Sequence, residues 1–212
     1  NELEHAISLY RLGDASSGQW FHAGKAMQPQ AHQGLTHLLS NICDDLYPQT
    51  PRLWNELINR RVLSSQGAAA RRNLLEGLLQ RAEKENLGIE AYPPERSMYE
   101  SLLKASGLHR QDAQGQWTLT DPPSEDPLHL RYAWDALADF IFRQPAEPRP
   151  VTDLFAYLHQ PPYGLTDGVL PIFLCAFLLV HQHETTFYRE GSLQPELEIA
   201  DWEVLLRRPE LF

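Results

Sequence analysis

The chain has 212 residues, of which 42% are hydrophobic and 22% charged, with a formal net charge of −10. A hydrophobic fraction of that size supports a real core and excludes a disordered tail, and the length allows one large domain or two small ones. The longest apolar run, residues 169–180, is shorter than the roughly 20 residues of a membrane-spanning helix, which leaves a buried helix and a cytoplasmic setting as the expectation.

Only two cysteines are present, Cys43 and Cys175, and neither belongs to a CxxC pair. Two buried free thiols in a reducing compartment are expected, not a disulfide or a metal knuckle. The chain opens on Asn1 with no leader pattern behind it, which reads as a piece of a longer protein.

In chain order, residues 2–12 form a short amphipathic pattern, and 19–22 a short strand. Leu35, Leu38, Leu39, Ile42, Cys43 and Leu46 recur at helical spacing, predicting a helix from about 29 to 46. Pro48 and Pro51 end it, and residues 52–61 read as the next helix. Ser64 or Ser65 caps a long helix that reaches residue 84, with Leu74, Leu75, Leu78 and Leu79 as its stripe and Asn86-Leu87-Gly88 as its stop. A helix over 95–106, a glycine stop at Gly107 and a strand at 116–119 after a turn at 112–115 complete the first half.

The proline-rich stretch 121–127 is the best internal boundary. Beyond it come an amphipathic helix over 128–142, a linker at 144–150, and a helix over 152–160 capped by Thr152. The apolar helix from Val169 follows, then a strand at 184–189, a turn at Glu190-Gly191, a return strand at 197–202 and a last helical turn. Helices followed by a hairpin thus occur twice. The expected fold is mainly α, built as tandem winged-helix-like units with short β-hairpins, over residues 1–121 and 128–212. An irregular all-helical domain is the alternative.

The catalytic motifs fail on spacing. Between Gly18 and Gly24 lie five residues where a phosphate loop needs four, and Ala26 stands where that loop carries Ser or Thr. His181 and His183 would face one way on a strand and share a metal only with a third ligand such as His159 or Asp167; a polar helix end accounts for them better. His32 and His37 are badly spaced for one helical face. Asp44-Asp45 and the pair Asp135 and Asp139 lack the desolvation of a general acid. No catalytic residue, metal site or cofactor is expected in this chain.

The charge pattern is the remaining signal. Residues 1–107 hold 11 basic and 12 acidic side chains, and residues 108–212 hold 7 and 16, so the second half is unsuited to wrapping nucleic acid. Residues 52–81 carry six arginines against Glu56 and Glu76. In a helix-turn-helix the N-terminal end of the second helix enters the major groove. Here that end offers Gln66 to read a base edge, with Arg60, Arg61, Arg71 and Arg72 for phosphates or guanine. A solvated Arg–Glu helix face is the plainer reading of the same residues.

Several phrases resemble the non-catalytic region of large bacterial P-loop ATPases associated with phage defence, of the BREX type and its relatives. They are Trp20-x-x-x-Gly24-Lys25, Leu39-Ser40-x-Ile42-Cys43-Asp44-x-x-Tyr47, Asn55-Glu56-Leu57-Ile58-Asn59-Arg60-Arg61, Gly88-Ile89-Glu90-x-Tyr92-Pro93-Pro94-Glu95 and Pro161-Pro162-Tyr163-Gly164-Leu165-x-Asp167-Gly168. The resemblance implies a parent with its ATPase module elsewhere, acting with other antiviral defence proteins on DNA. The expected function is a non-catalytic interaction module of such an ATPase, contacting duplex DNA or a partner subunit through Arg52 to Arg81. A stand-alone helix-turn-helix DNA-binding regulator is the alternative.

Overall fold

A computed structural model of the chain describes residues 20–27, 35–60, 62–143 and 148–212. They belong to two units, Asn1–Pro48 and Gln49–Phe212. The expected helix over 2–12, Gly18, His32, the start of the helix expected from 29, Arg61 and residues 144–147 of the second linker lie outside the described residues. The described part is mainly α, with seven α-helices and three two-stranded hairpins.

In the first unit, β1 (Trp20–His22) pairs antiparallel with β2 (Lys25–Met27), Trp20 opposite Met27. Ala23 and Gly24 turn the chain at φ 48° and 75°, the signature of a tight hairpin turn. Gly24, half of the apparent phosphate loop, is therefore a turn glycine. Helix α1 (Leu35–Leu46) buries Leu38. Cys43, five residues on, lies well round the helix from Leu38 and is exposed, which corrects the expectation of two buried thiols; Cys175 alone is buried.

The second unit is organised around α2 (Ser65–Arg81), whose first turn is capped by Ser64: its Oγ accepts from Gly67 N at 3.1 Å. Leu74, Leu75 and Leu78 are fully buried along one face. The chain leaves this helix through a tight turn at Glu85–Gly88, where Asn86, Leu87 and Gly88 all take positive φ. Helix α3 (Pro94–Tyr99) widens into a π-helical turn at Glu100–Lys104 and stops at Gly107, φ 72°. Strands β3 (His109–Gln111) and β4 (Trp117–Leu119) then pair, and Asp112 Oδ1 holds their turn by accepting from Gln114 N and Gln116 N, both at 2.8 Å.

The Asp126 carboxylate caps α4 (Leu130–Phe142), accepting from Leu130 N at 3.0 Å and Arg131 N at 2.7 Å. Helix α5 (Val151–His159) starts after Pro150. Thr152 lies inside its first turn and makes no cap, because the helix begins one residue earlier, at Val151, with Pro150 at the N-cap. Helix α6 (Leu170–Val180) is buried on nearly every side, as its sequence requires. Strands β5 (Phe187–Arg189) and β6 (Ser192–Gln194) follow, and α7 (Ile199–Arg207) closes the unit.

One hydrophobic core runs from Ile58 through α2 to α7. The proline-rich stretch 121–127 is tied to it: Trp134 Nε1 donates to Asp121 Oδ1 at 2.8 Å, and the Arg131 guanidinium donates to the carbonyls of Pro122 and Pro123.

Two expected elements are absent. Residues 52–60 of the helix expected over 52–61 are not helical but an irregular stretch with a turn. Asn55 Oδ1 accepts from Leu57 N at 2.8 Å, a side-chain bond that substitutes for the helical ladder. The return strand expected at 197–202 is instead the start of α7. Glu190-Gly191 turns the chain within two residues, so the returning strand comes at once, at 192–194. Glu198 and Asp201 then form a reciprocal capping box.

Candidate interaction surface

Residues 50–60 are fastened to the rest of the second unit along their length while one large side chain is left outside. Gln49 N donates to Pro162 O at 3.2 Å, Thr50 Oγ1 to Tyr163 O at 2.7 Å, and Arg52 N to Leu128 O at 2.8 Å. Asn55 is buried, and its Nδ2 donates to Ser97 Oγ at 3.1 Å and Ser101 Oγ at 2.9 Å. Ile58 is fully buried, and its carbonyl accepts from Thr166 Oγ1 at 2.8 Å. Gly168 approaches that same carbonyl so closely that a Cβ there would stand 2.1 Å from the oxygen. Residues 55–60 and 161–168, parts of phrases read separately in the sequence, are thus two sides of one clamp.

Trp54 is the side chain left outside, 90% exposed. Val62 is 84% exposed a few residues on. Beside Trp54 opens a cavity of about 320 Å³, lined by Pro51, Arg52, Leu53, Leu165, Thr166 and Val169 among others. Arg52 is exposed and has no carboxylate within salt-bridge reach among the described residues. Arg60, also exposed, stands 3.6 Å from Glu56, a solvated pair of little energetic weight.

The arginines further along are engaged with other parts of the chain. Arg71 Nη1 donates to Asp167 O at 2.8 Å, and its Nε has no acceptor among the described residues. Burial pushes its guanidinium below the usual arginine value, with Asp167 pulling the other way. Arg72 pairs with Glu203 of α7, and Arg81 donates to Leu87 O at 3.0 Å. Gln66 is exposed in the first turn of α2. The structure therefore separates the residues that the sequence grouped. Arg71 braces the fold, Arg72 makes a half-exposed pair with Glu203, Gln66 and Arg60 face outward, and Arg61 lies outside the described residues. Trp54 was missed because 52–61 reads as a helix. The signal that could have found it was Asn55, a turn former two residues before an amide it can cap.

The histidines are also apart. His181 is the residue after α6 rather than part of a strand, and His183 is exposed beside Gln182. His181 lies among Trp134, Phe142 and Phe177, 3.4 Å from Asp121 and 3.3 Å from Glu184. His159 is paired elsewhere, with Asp167 at 2.9 Å and with Leu165 O at 2.6 Å. Among the described residues no three His, Cys, Asp or Glu side chains gather to hold a metal, and no helix is long and apolar enough to cross a membrane.

Compared with protein-family models, with curated proteins and with solved structures, the chain matches none of them.

Proposed function

We propose that this chain is a non-catalytic interaction module whose docking face is residues 50–60 with Val62, centred on Trp54. The observation that carries the reading is the contrast within this stretch: it is held through the Arg52 N–H and the Ile58 carbonyl and through the side chains of Thr50 and Asn55, while its largest side chain faces solvent. An exposed tryptophan on a held backbone, beside a concavity, is the kind of aromatic anchor found at energetic centres of protein interfaces. The stretch carries Arg52, Arg60 and Arg61 against Glu56, opposite in sign to the chain as a whole. Its complement is an acidic protein segment with an aliphatic side chain that seats in the cavity beside Trp54. The parent is a larger ATPase of the phage-defence kind, and the partner is one of its subunits or modules.

Duplex DNA is the second reading, favoured by Gln66 and Arg60 on the outside of a capped helix start. It is the weaker one, because Arg71 and Arg72 are spent on Asp167 and Glu203. The winged-helix comparison belongs to this reading and now rests on α2, α3 and the hairpin β3–β4 alone. Titration calorimetry with an acidic peptide carrying a leucine, such as an acetylated Glu-Glu-Leu-Leu-Glu-Glu, tests the first reading. Binding should weaken in Trp54→Ala and in Arg52→Glu. Equal binding by both variants and the unaltered chain would place the docking face elsewhere.

A further inference from the structure

One imidazole ties down the loop that forms the second side of the clamp. His159, the last residue of α5, meets this loop through both of its nitrogens. Nδ1 stands 2.6 Å from Leu165 O, and Nε2 stands 2.9 Å from Asp167 Oδ1. Between these two contacts lies Thr166, whose hydroxyl makes the 2.8 Å bond to Ile58 O. Leu165 and Thr166 also line the cavity beside Trp54. A single side chain therefore brackets the residue that closes the clamp.

The proton count decides what this geometry can do. A carbonyl and a carboxylate both accept, so both contacts are hydrogen bonds only when each ring nitrogen carries a proton. A neutral imidazole has one N–H and turns a lone pair toward the other oxygen. His109 is the contrast: it faces one acceptor, Ala82 O, and one donor, Tyr99 Oη, and the neutral ring satisfies both. The groups around His159 come from three elements. Asp167 of the loop is its ion-pair partner among the described residues. Arg71 of α2 reaches the same residue at its backbone, donating to Asp167 O at 2.8 Å. Tyr163 of the loop and Tyr157 of α5 share a hydroxyl contact at 3.3 Å, and burial first, then that contact, pushes Tyr163 up to about 12, so it stays a neutral phenol. Arg71 thus holds the Asp167 backbone, while the Asp167 carboxylate is held by a group whose charge changes with pH.

We propose that His159 is a pH latch on the docking face. Its protonated ring fastens residues 165–167 and with them the Thr166–Ile58 clamp; deprotonation gives up one of the two bonds and loosens the cavity wall beside Trp54. The latch is made at low pH and is lost as the pH rises through the histidine range, about 5 to 8. Its effect on a partner rests on the docking role proposed for Trp54, and the latch itself does not.

The test is amide hydrogen exchange at about pH 5.5 and about pH 8, corrected for the base catalysis of exchange itself. The reporters are Leu165 N and Val169 N, which donate to Leu158 O and Thr166 O, both at 3.0 Å. Their protection should fall about threefold at the higher pH, the scale of one half-exposed ion pair. His159→Gln, which carries no charge, should give the same protection at both values. Asp167→Ala leaves a single acceptor that the neutral ring satisfies, so it should flatten the response as well. The acidic leucine peptide should bind the unaltered chain about threefold more tightly at the lower pH, and His159→Gln equally at both. Protection that does not change with pH, or that changes as before in both variants, would overturn the latch. Peptide affinity that stays constant while protection falls would overturn its coupling to the docking face. A peptide that leaves the Trp54 indole signal unmoved at either pH would count against the docking reading alone, and the exchange rates would still decide the latch.

Discussion

Gly168→Ala isolates the clamp that holds the docking stretch. The new Cβ would stand 2.1 Å from Ile58 O, 2.8 Å from its carbonyl carbon and 3.0 Å from its Cα. All three are backbone atoms, so no side chain can swing aside. The carbonyl must retreat by about 1 Å to reach ordinary contact, which costs about 1–3 kcal/mol by comparison with other overpacked sites. That retreat also breaks the 2.8 Å bond from Thr166 Oγ1, worth about 1 kcal/mol. The expected loss is about 2–4 kcal/mol, a large part of the stability of a typical domain. At about 2–4 °C per kcal/mol for a chain of this size, Tm falls by about 4–16 °C. Urea denaturation gives the free energy directly. Gly115→Ala is the control: it meets open space at φ +79° and should cost only the left-handed backbone penalty of about 1–2 kcal/mol. A Gly168→Ala protein as stable as the unaltered chain, or more stable than Gly115→Ala, would refute the clamp.

Asn55→Ala removes the acceptor for Leu57 N and the donor to Ser97 and Ser101; the expected cost is about 2–3 kcal/mol by urea denaturation, and a loss below about 0.5 kcal/mol would contradict the turn-former role. Arg71→Ala should destabilise by about 1–3 kcal/mol because a half-buried guanidinium leaves Asp167 O, whereas Arg72→Ala, which loses a half-exposed pair with Glu203, should cost under about 1 kcal/mol. The reverse order would show that Arg72 is the structural one. His109 donates from Nε2 to Ala82 O at 2.8 Å, so Nδ1 accepts from Tyr99 Oη, also at 2.8 Å, and the ring is neutral. Burial lowers its pKa from the ordinary 6.5, against the Ala82 bond. Below that value the unfolded chain binds a proton that the fold refuses, so stability is full above about pH 6.5 and falls as the pH drops beneath it. His109→Gln should flatten that part of a urea-midpoint profile, and an unchanged slope would count against the assignment.

The helices were legible where apolar periodicity and cap agreed. Leu74, Leu75 and Leu78 mark the buried face of α2, and Ser64 marks its start. Helix α6 announces itself by having no polar face at all. Failure came where a side chain took over a backbone bond. Asn55 turned an expected helix into a pinned loop, and Glu198 with Asp201 turned an expected strand into a helix start.

The candidate site was legible only as charge. Composition located the arginine-rich stretch, yet it could not tell a guanidinium bonded to a distant carbonyl from one in water. Arg71 meets Asp167 O across 96 residues. Gly168 is a further case: the sequence offers a loop glycine, and its reason is a carbonyl 110 positions earlier.

The central claim, that Trp54 rather than the arginines is the working chemistry of residues 50–66, is tested most directly by following the indole and backbone amide signals during two titrations. One uses the acidic leucine peptide and the other a short DNA duplex, each at about 50 and 200 mM salt. The account predicts that the peptide moves the Trp54 indole, and that the duplex moves the Gln66 amide weakly or not at all. Saturable shifts at Gln66 caused by duplex, lost steeply with salt while Trp54 stays unmoved by peptide, would contradict it and return the chain to the DNA-binding reading.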